Sequence, residues 1–163
     1  MKKLLLVASS LFAANCIWAQ LKTTPVCPEF TVDVLYGKVN SLMASATNGQ
    51  IKNTLPCFSS SEDETSTAKC GGGVFYKEKD IYFYTSRDYI EMGPAFKGKL
   101  TVPLMGAART ALFKWLGHPK VKDTNWDAFQ MQYGILILYF NKAGKVNKIQ
   151  MSTMSTDNIK LCE

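Results

Sequence analysis

The chain holds a single histidine, His118, and that sets the first limit on its chemistry. A serine or cysteine nucleophile activated by imidazole would have to use it. It stands between Gly117 and Pro119 at the end of "GAARTALFKWLGHP", where a capping or surface role suits it better. No Gly-x-Ser-x-Gly element is present. "CGGGVFY", from Cys70, lacks the Gly-Lys-Ser/Thr ending of a phosphate loop and leads into a strand pattern. Its glycines mark a bulge or a close backbone approach. The 13 acidic residues are scattered, and no spacing singles out a carboxylate pair for glycoside hydrolysis. Cys27, Cys57, Cys70 and Cys162 include no Cys-x-x-Cys pair, so neither a metal nor another cofactor is expected. The expectation is a chain that is not an enzyme.

The N-terminus sets the compartment. "MKKLLLVASSLFAANCIWAQ" has two lysines, an apolar run over residues 4–14 and a small residue at Ala19. That is the three-part pattern of a secretory signal peptide, residues 1–19, cut before Gln20. Lipoprotein processing at Cys16 is the rival, disfavoured by Asn15 where a small residue is wanted. No later run is long and apolar enough for a membrane helix. An exported chain with four remaining cysteines is expected to form two disulfides. Closing the polar loop "FSSSEDETSTAK" favours Cys57–Cys70, which leaves Cys27–Cys162 near the two ends.

Whole-chain charge is +6, from 19 basic and 13 acidic residues, and about +4 once Lys2 and Lys3 leave with the leader. The lysines are scattered rather than striped, so a nucleic-acid partner is not expected.

Hydrophobic periodicity then places the elements. Residues 33–46 put Val34, Leu35, Val39, Leu42 and Met43 at helical spacing. "QIKNTLP" predicts a short second helix stopped by Pro56. "GGGVFYKEKDIYFYTSRDYIEMG" changes to β-branched and aromatic runs, with strands at 73–77, 80–85 and 88–92. A helix over 106–116 follows, ended by Gly117 and Pro119. Strands are expected at 127–133, 135–140 and 145–151, the last two joined by the hairpin loop "NKAGK".

The halves overlay: "IKNTLPC" on "LFKWLGHP", "GVFYKEKDIYFY" on "FQMQYGILILYF", "DYIEM" on "KVNKIQM". The expected fold is α+β, an antiparallel sheet with helices on one face, in two tandem helix-helix-sheet repeats. Residues 20–99 form the first and 100–163 the second.

Gly106, Leu112, Leu116, Gly117 and Pro119, followed by a strand pair and the "YFNKAGKVNKI" hairpin, resemble the unit shared by the β-lactamase inhibitor protein and the SmpA/OmlA-type outer-membrane lipoproteins. The match covers about residues 100–151 well and 33–92 loosely. Ala107 stands where that pattern usually has methionine. The resemblance implies tandem units and a role in binding another protein.

The central strands point the same way. In "IYFY", Ile81 and Phe83 oppose Tyr82 and Tyr84; in "ILILYF", Ile135, Ile137 and Tyr139 oppose Leu136, Leu138 and Phe140. Such strands are either buried on both faces by the chain itself or open a tyrosine-bearing face to a partner. Tyrosine and tryptophan suit the second role. The candidate partner-binding residues are Tyr82, Tyr84, Arg87, Tyr89, Trp126, Tyr133 and Tyr139. The expected function is a periplasmic or secreted inhibitor or immunity-type protein. Envelope assembly factor and hydrolase are the alternatives.

Overall fold

The computed structural model describes residues 25–63, 65, 67, 68 and 70–159. The signal segment 1–19, Gln20, Cys16 and Cys162 lie outside them. In chain order the elements are β1 (Thr31–Asp33), β2 (Lys38–Val39), α1 (Asn48–Thr54), β3 (Ser60–Glu62), β4 (Gly73–Tyr76), β5 (Ile81–Tyr84), β6 (Tyr89–Met92), β7 (Lys99–Leu100), α2 (Phe113–Leu116), β8 (Val121–Lys122), β9 (Trp126–Met131), β10 (Gly134–Phe140) and β11 (Val146–Ser152).

Eight strands form one antiparallel sheet in the order β3-β4-β5-β6-β11-β10-β9-β8. It consists of two four-stranded meanders joined at their last strands, where Glu91 pairs with Gln150. A small second sheet has the order β2-β1-β7. Among the described residues the fold is thus mostly sheet, with two short α-helices.

The six main strands fall close to their expected positions because their turns are strongly encoded. β4 and β5 are joined by one 3-10 turn, Lys77–Lys79, closed by Asp80 at φ +54°. β5 and β6 repeat the device with Thr85–Arg87 and Asp88 at φ +51°. Aspartate tolerates the left-handed region better than most side chains do. The β10–β11 hairpin turns through residues 141–145 as expected.

Two helix expectations are corrected. Residues 33–46 form a β1–β2 hairpin and turns rather than a helix. The Asp33 carboxylate accepts the Leu35 and Tyr36 N–H groups at 3.1 and 3.2 Å, offering the backbone a turn in place of a helix. Gly37, at φ +66°, completes it, and a Cβ there would collide with the Tyr133 ring. The expected helix over 106–116 shrinks to a 3-10 turn, Arg109–Ala111, followed by α2. Its first residues are drawn into the sheet instead: Gly106 N–H bonds Val146 O, and Val146 N–H bonds Ala107 O, at 2.8 and 2.9 Å. Gly117 ends α2 at φ +70°, ψ −149°, a region open mainly to glycine.

α1 is the better-made helix. Thr47 and Gln50 form a reciprocal capping box at its start. Its Ile51, with Leu55 and Leu112, lies in one cluster with Val74, Tyr76, Ile81, Phe83, Ile90, Met92, Leu136, Leu138 and Met151. The Tyr76 hydroxyl donates to Leu55 O at 2.7 Å, which satisfies the one polar atom of that buried ring.

Candidate functional site

Strand residues alternate between faces, so those between the core positions share the opposite, outer face. One row crosses all eight strands there: Ser60, Phe75, Tyr82, Glu91, Gln150, Ile137, Ala128, Val121. Tyr84 and Tyr89 flank it on one side, and Lys148, Tyr139 and Trp126 on the other.

In the first meander this face is an aromatic ladder. Tyr82 and Tyr84 stack with centroids 6.3 Å apart, and Tyr84 and Tyr89 at 4.7 Å. Phe75 lies beneath, 6.2 and 5.3 Å from Tyr82 and Tyr84. Tyr82 and Tyr84 are half-buried, whereas Phe75 and Tyr89 are buried. At the join of the meanders lies a polar chain. The Tyr139 hydroxyl donates to Gln150 Oε1 at 3.0 Å, and Gln150 Nε2 donates to Glu91 Oε2 at 2.6 Å. Lys148 Nζ stands 3.7 Å from the same carboxylate oxygen and 4.0 Å over the Tyr139 ring. The lysine and glutamate are held by neighbours on both sides, so their long side chains are already ordered in the free chain.

Burial sets the acidity of these phenols. Tyr84 is pushed up to about 12, first by burial and then by the nearby Glu91 carboxylate. Burial also raises Tyr82, helped by the hydrogen bond and charge of Asp80. Tyr89 is raised further by its deeper burial. All three remain neutral at ordinary pH.

No family model, curated protein or solved structure matches this chain.

Of the residues expected to meet a partner, Tyr82, Tyr84, Tyr89, Trp126 and Tyr139 share the outer face. Trp126 is half-buried and pairs in register with Tyr139. Arg87 sits in the β5–β6 turn at the rim. Tyr133 is a correction. It lies in the two-residue loop between β9 and β10, where strand alternation no longer dictates direction. Its ring packs on Gly37, and its hydroxyl donates to Val34 O at 3.2 Å.

Both expected disulfide pairings are also corrected. Cys57 bonds Cys27, not Cys70, which excludes Cys27–Cys162 as well. The bond ties the segment before β1 to the end of α1, and the Cys57 N–H points at Cys27 Sγ, 3.1 Å away. Cys70 is disulfide-bonded too, with its partner outside the described residues.

His118 is exposed and rests against the Phe113 ring, 4.7 Å between centroids. Among the described residues no group of three or more His, Cys, Asp or Glu side chains could hold a metal ion. Glu91, Lys148 and Gln150 were missed from sequence. Glu91 and Gln150 alternate with apolar neighbours in "YIEM" and "VNKIQMS", but only the pairing of β6 with β11 brings the three beside the tyrosines.

A second ion pair acts as a staple. Arg109 Nε donates to Asp127 Oδ2 at 2.9 Å, and its other nitrogens reach Asp127 Oδ1 and the carbonyls of Asp123 and Thr124. The guanidinium also lies 4.6 Å over the Phe140 ring. It fixes the segment before α2 to the β8–β9 turn.

Proposed function

We propose that this chain is an exported protein-binding module of inhibitor or immunity type. Its outer sheet face grips another envelope or extracellular protein. The observation that carries this is the half-buried set Tyr82, Tyr84 and Trp126 on either side of the Glu91–Lys148 pair. Aromatic rings supply large contact area with a polar tip, and ordered side chains lose little entropy on binding. The stacked ladder is rigid in that sense, since each ring is supported by the next.

The order of elements supports the tandem-unit reading and its likeness to the β-lactamase inhibitor protein. Each meander is preceded by one short helix whose neighbourhood contributes to the core, Ile51 and Leu55 in the first and Leu112 in the second. The two units meet at their last strands, so their outer faces form one continuous surface. A periplasmic or secreted site of action fits the leader pattern and the Cys27–Cys57 bond, because disulfides persist in oxidising compartments. Among the described residues no helix is long and apolar enough to cross a membrane.

Affinity capture from the native envelope extract tests this. The wild-type protein, Tyr82→Ala, Tyr84→Ala and Tyr133→Ala are immobilised side by side. A protein held by wild type and Tyr133→Ala but lost from Tyr84→Ala is the expected result. Capture that ignores Tyr84→Ala and Tyr82→Ala alike overturns the reading.

A further inference from the structure

The two half-buried tyrosines of β5 sit among carboxylates, although the whole chain carries a charge of +6. Glu91 stands directly opposite Tyr82 in register. Asp80, in the turn before β5, shares a hydrogen bond with Tyr82. Glu62 lies in register with Gly73, and a Cβ on Gly73 would come within 3.1 Å of Tyr84 Cα. Because Gly73 has none, no side chain stands between Glu62 and Tyr84. After burial, the acids are what raise the two phenols: Asp80 and Glu91 act on Tyr82, Glu91 and Glu62 on Tyr84.

Glu91 keeps acceptor capacity to spare. Both of its contacts fall on Oε2: Gln150 Nε2 at 2.6 Å, and Lys148 Nζ at 3.7 Å, beyond hydrogen-bond length. Its Oε1 has no partner among the described residues. Lys148 belongs to β11, on the side of Glu91 away from Tyr82, and lies 4.0 Å over the Tyr139 ring. Asp80 Oδ2 accepts the Ala95 N–H at 2.8 Å. Lys77 and Lys79 share its turn, and neither forms an ion pair with it. Aromatic surface beside a carboxylate with a free oxygen attracts a cation. Arginine suits it better than lysine, because its planar fork stacks on a ring while bonding a carboxylate.

We infer that the Tyr82–Tyr84 ladder receives an arginine of the partner protein, its guanidinium laid on the tyrosines and bonded to Glu91. The inference rests on the protein-binding reading and names the chemistry of what binds. The rings supply contact area, while Glu91, Asp80 and Glu62 select the sign of the incoming charge.

Proton NMR of the tyrosine rings in the full chain tests it, with a short blocked peptide alternating glycine and arginine as the probe. The Tyr82 and Tyr84 signals are expected to shift and saturate. The matched peptide with citrulline, neutral and of the same shape, is expected to leave them in place. Glu91→Gln, which keeps the shape of the side chain, should weaken arginine-peptide binding at least about fivefold. Asp80→Asn keeps a residue that tolerates the left-handed turn and should weaken it about twofold, which serves if Glu91→Gln disturbs the sheet. Lys148→Gln removes the competing cation and should strengthen binding, a direction that lost packing does not give. Equal shifts with the citrulline peptide, or arginine-peptide binding unmoved by both Glu91→Gln and Asp80→Asn, overturn the inference. In the envelope capture, a protein lost from Tyr84→Ala but held in full by Glu91→Gln and Asp80→Asn also overturns it and leaves the binding reading standing. Arginine-peptide binding of the expected pattern, with no envelope protein dependent on Tyr84, does the reverse. Self-association of the chain that Glu91→Gln abolishes would make a second copy the occupant and overturn the inference of a different partner.

Discussion

Tyr84 stacks on Tyr89 across the β5–β6 pair, with ring centroids 4.7 Å apart and planes 28° from parallel. The two sit directly opposite in register, the closest arrangement two strands allow. Tyr89 is buried in the stack, while Tyr84 keeps part of its ring at the surface. That difference separates a residue that holds the face together from one that offers it.

Replacing Tyr82 by alanine is therefore expected to weaken binding of the captured partner by about 2 kcal/mol or more, the range of interface hot spots. Folding stability should fall by much less. Tyr133→Ala should show the opposite pattern, since its ring fills the space over Gly37. Calorimetric titration and urea unfolding of the same variants give the two numbers.

Alkaline pH should destabilise the fold from the ordinary tyrosine range upward. A phenol whose acidity is suppressed in the fold contributes stability that is fully present below the unfolded value near 10. That stability is lost as pH rises toward the folded value, about 12 for Tyr84. The urea midpoint is expected to hold steady to about pH 9 and fall between about pH 10 and 12. Ultraviolet difference absorbance should show a late-titrating tyrosine fraction that moves to the ordinary range in urea.

Peptide mapping of the unreduced protein should recover Cys27 and Cys57 in one linked fragment, and Cys70 should escape alkylation after unfolding. Cys57→Ser is expected to cost about 2–5 kcal/mol of stability, typical of removing a native bridge from a small exported domain. A Cys57–Cys70 fragment would contradict the structure.

Asp127→Ala leaves Arg109 without its carboxylate in a half-buried site. Breaking such a pair by deleting one partner costs about 3–5 kcal/mol. Exposure of part of the guanidinium, and its remaining bonds to Asp123 and Thr124 carbonyls, place the expected loss near the lower end. Thermal unfolding of the variant checks it.

Leu112→Ala should destabilise by about 2–5 kcal/mol, as emptying a core leucine site does. His118→Ala, a few residues on, should change neither stability nor partner binding measurably, because its side chain lies on the surface against Phe113. The pair tests whether this segment acts through packing or through its imidazole.

Local chemistry made much of the sheet legible in the sequence alone. "KEKD" and "TSRD" are turns because a short polar run ends in an aspartate that accepts the left-handed region. The runs between them are strands because β-branched and aromatic residues fit a pleated surface. Alternation then separated Tyr82 and Tyr84 from Ile81 and Phe83 before any contact was known. Where the reading failed, the deciding partner was distant in the chain. Residues 33–46 show helical spacing, yet the Asp33 side chain and the ring of Tyr133 over Gly37 hold them in a hairpin. Residues 106–108 left their helix for hydrogen bonds to the β10–β11 hairpin, some 40 residues on. Cys27 found Cys57 because the small sheet brings the segment before β1 to the end of α1, a proximity that loop length does not predict. Glu91, Gln150 and Lys148 joined the tyrosines only through the pairing of β6 with β11. Even the two-sided apolar strands divided: β5 shows half-open tyrosines, whereas β10 is buried on both faces, with residues 153–159 over its outer side. Periodicity and turn chemistry act within a few residues and are written in the chain. Which face stays open depends on what packs against it, and only the tertiary structure decides that.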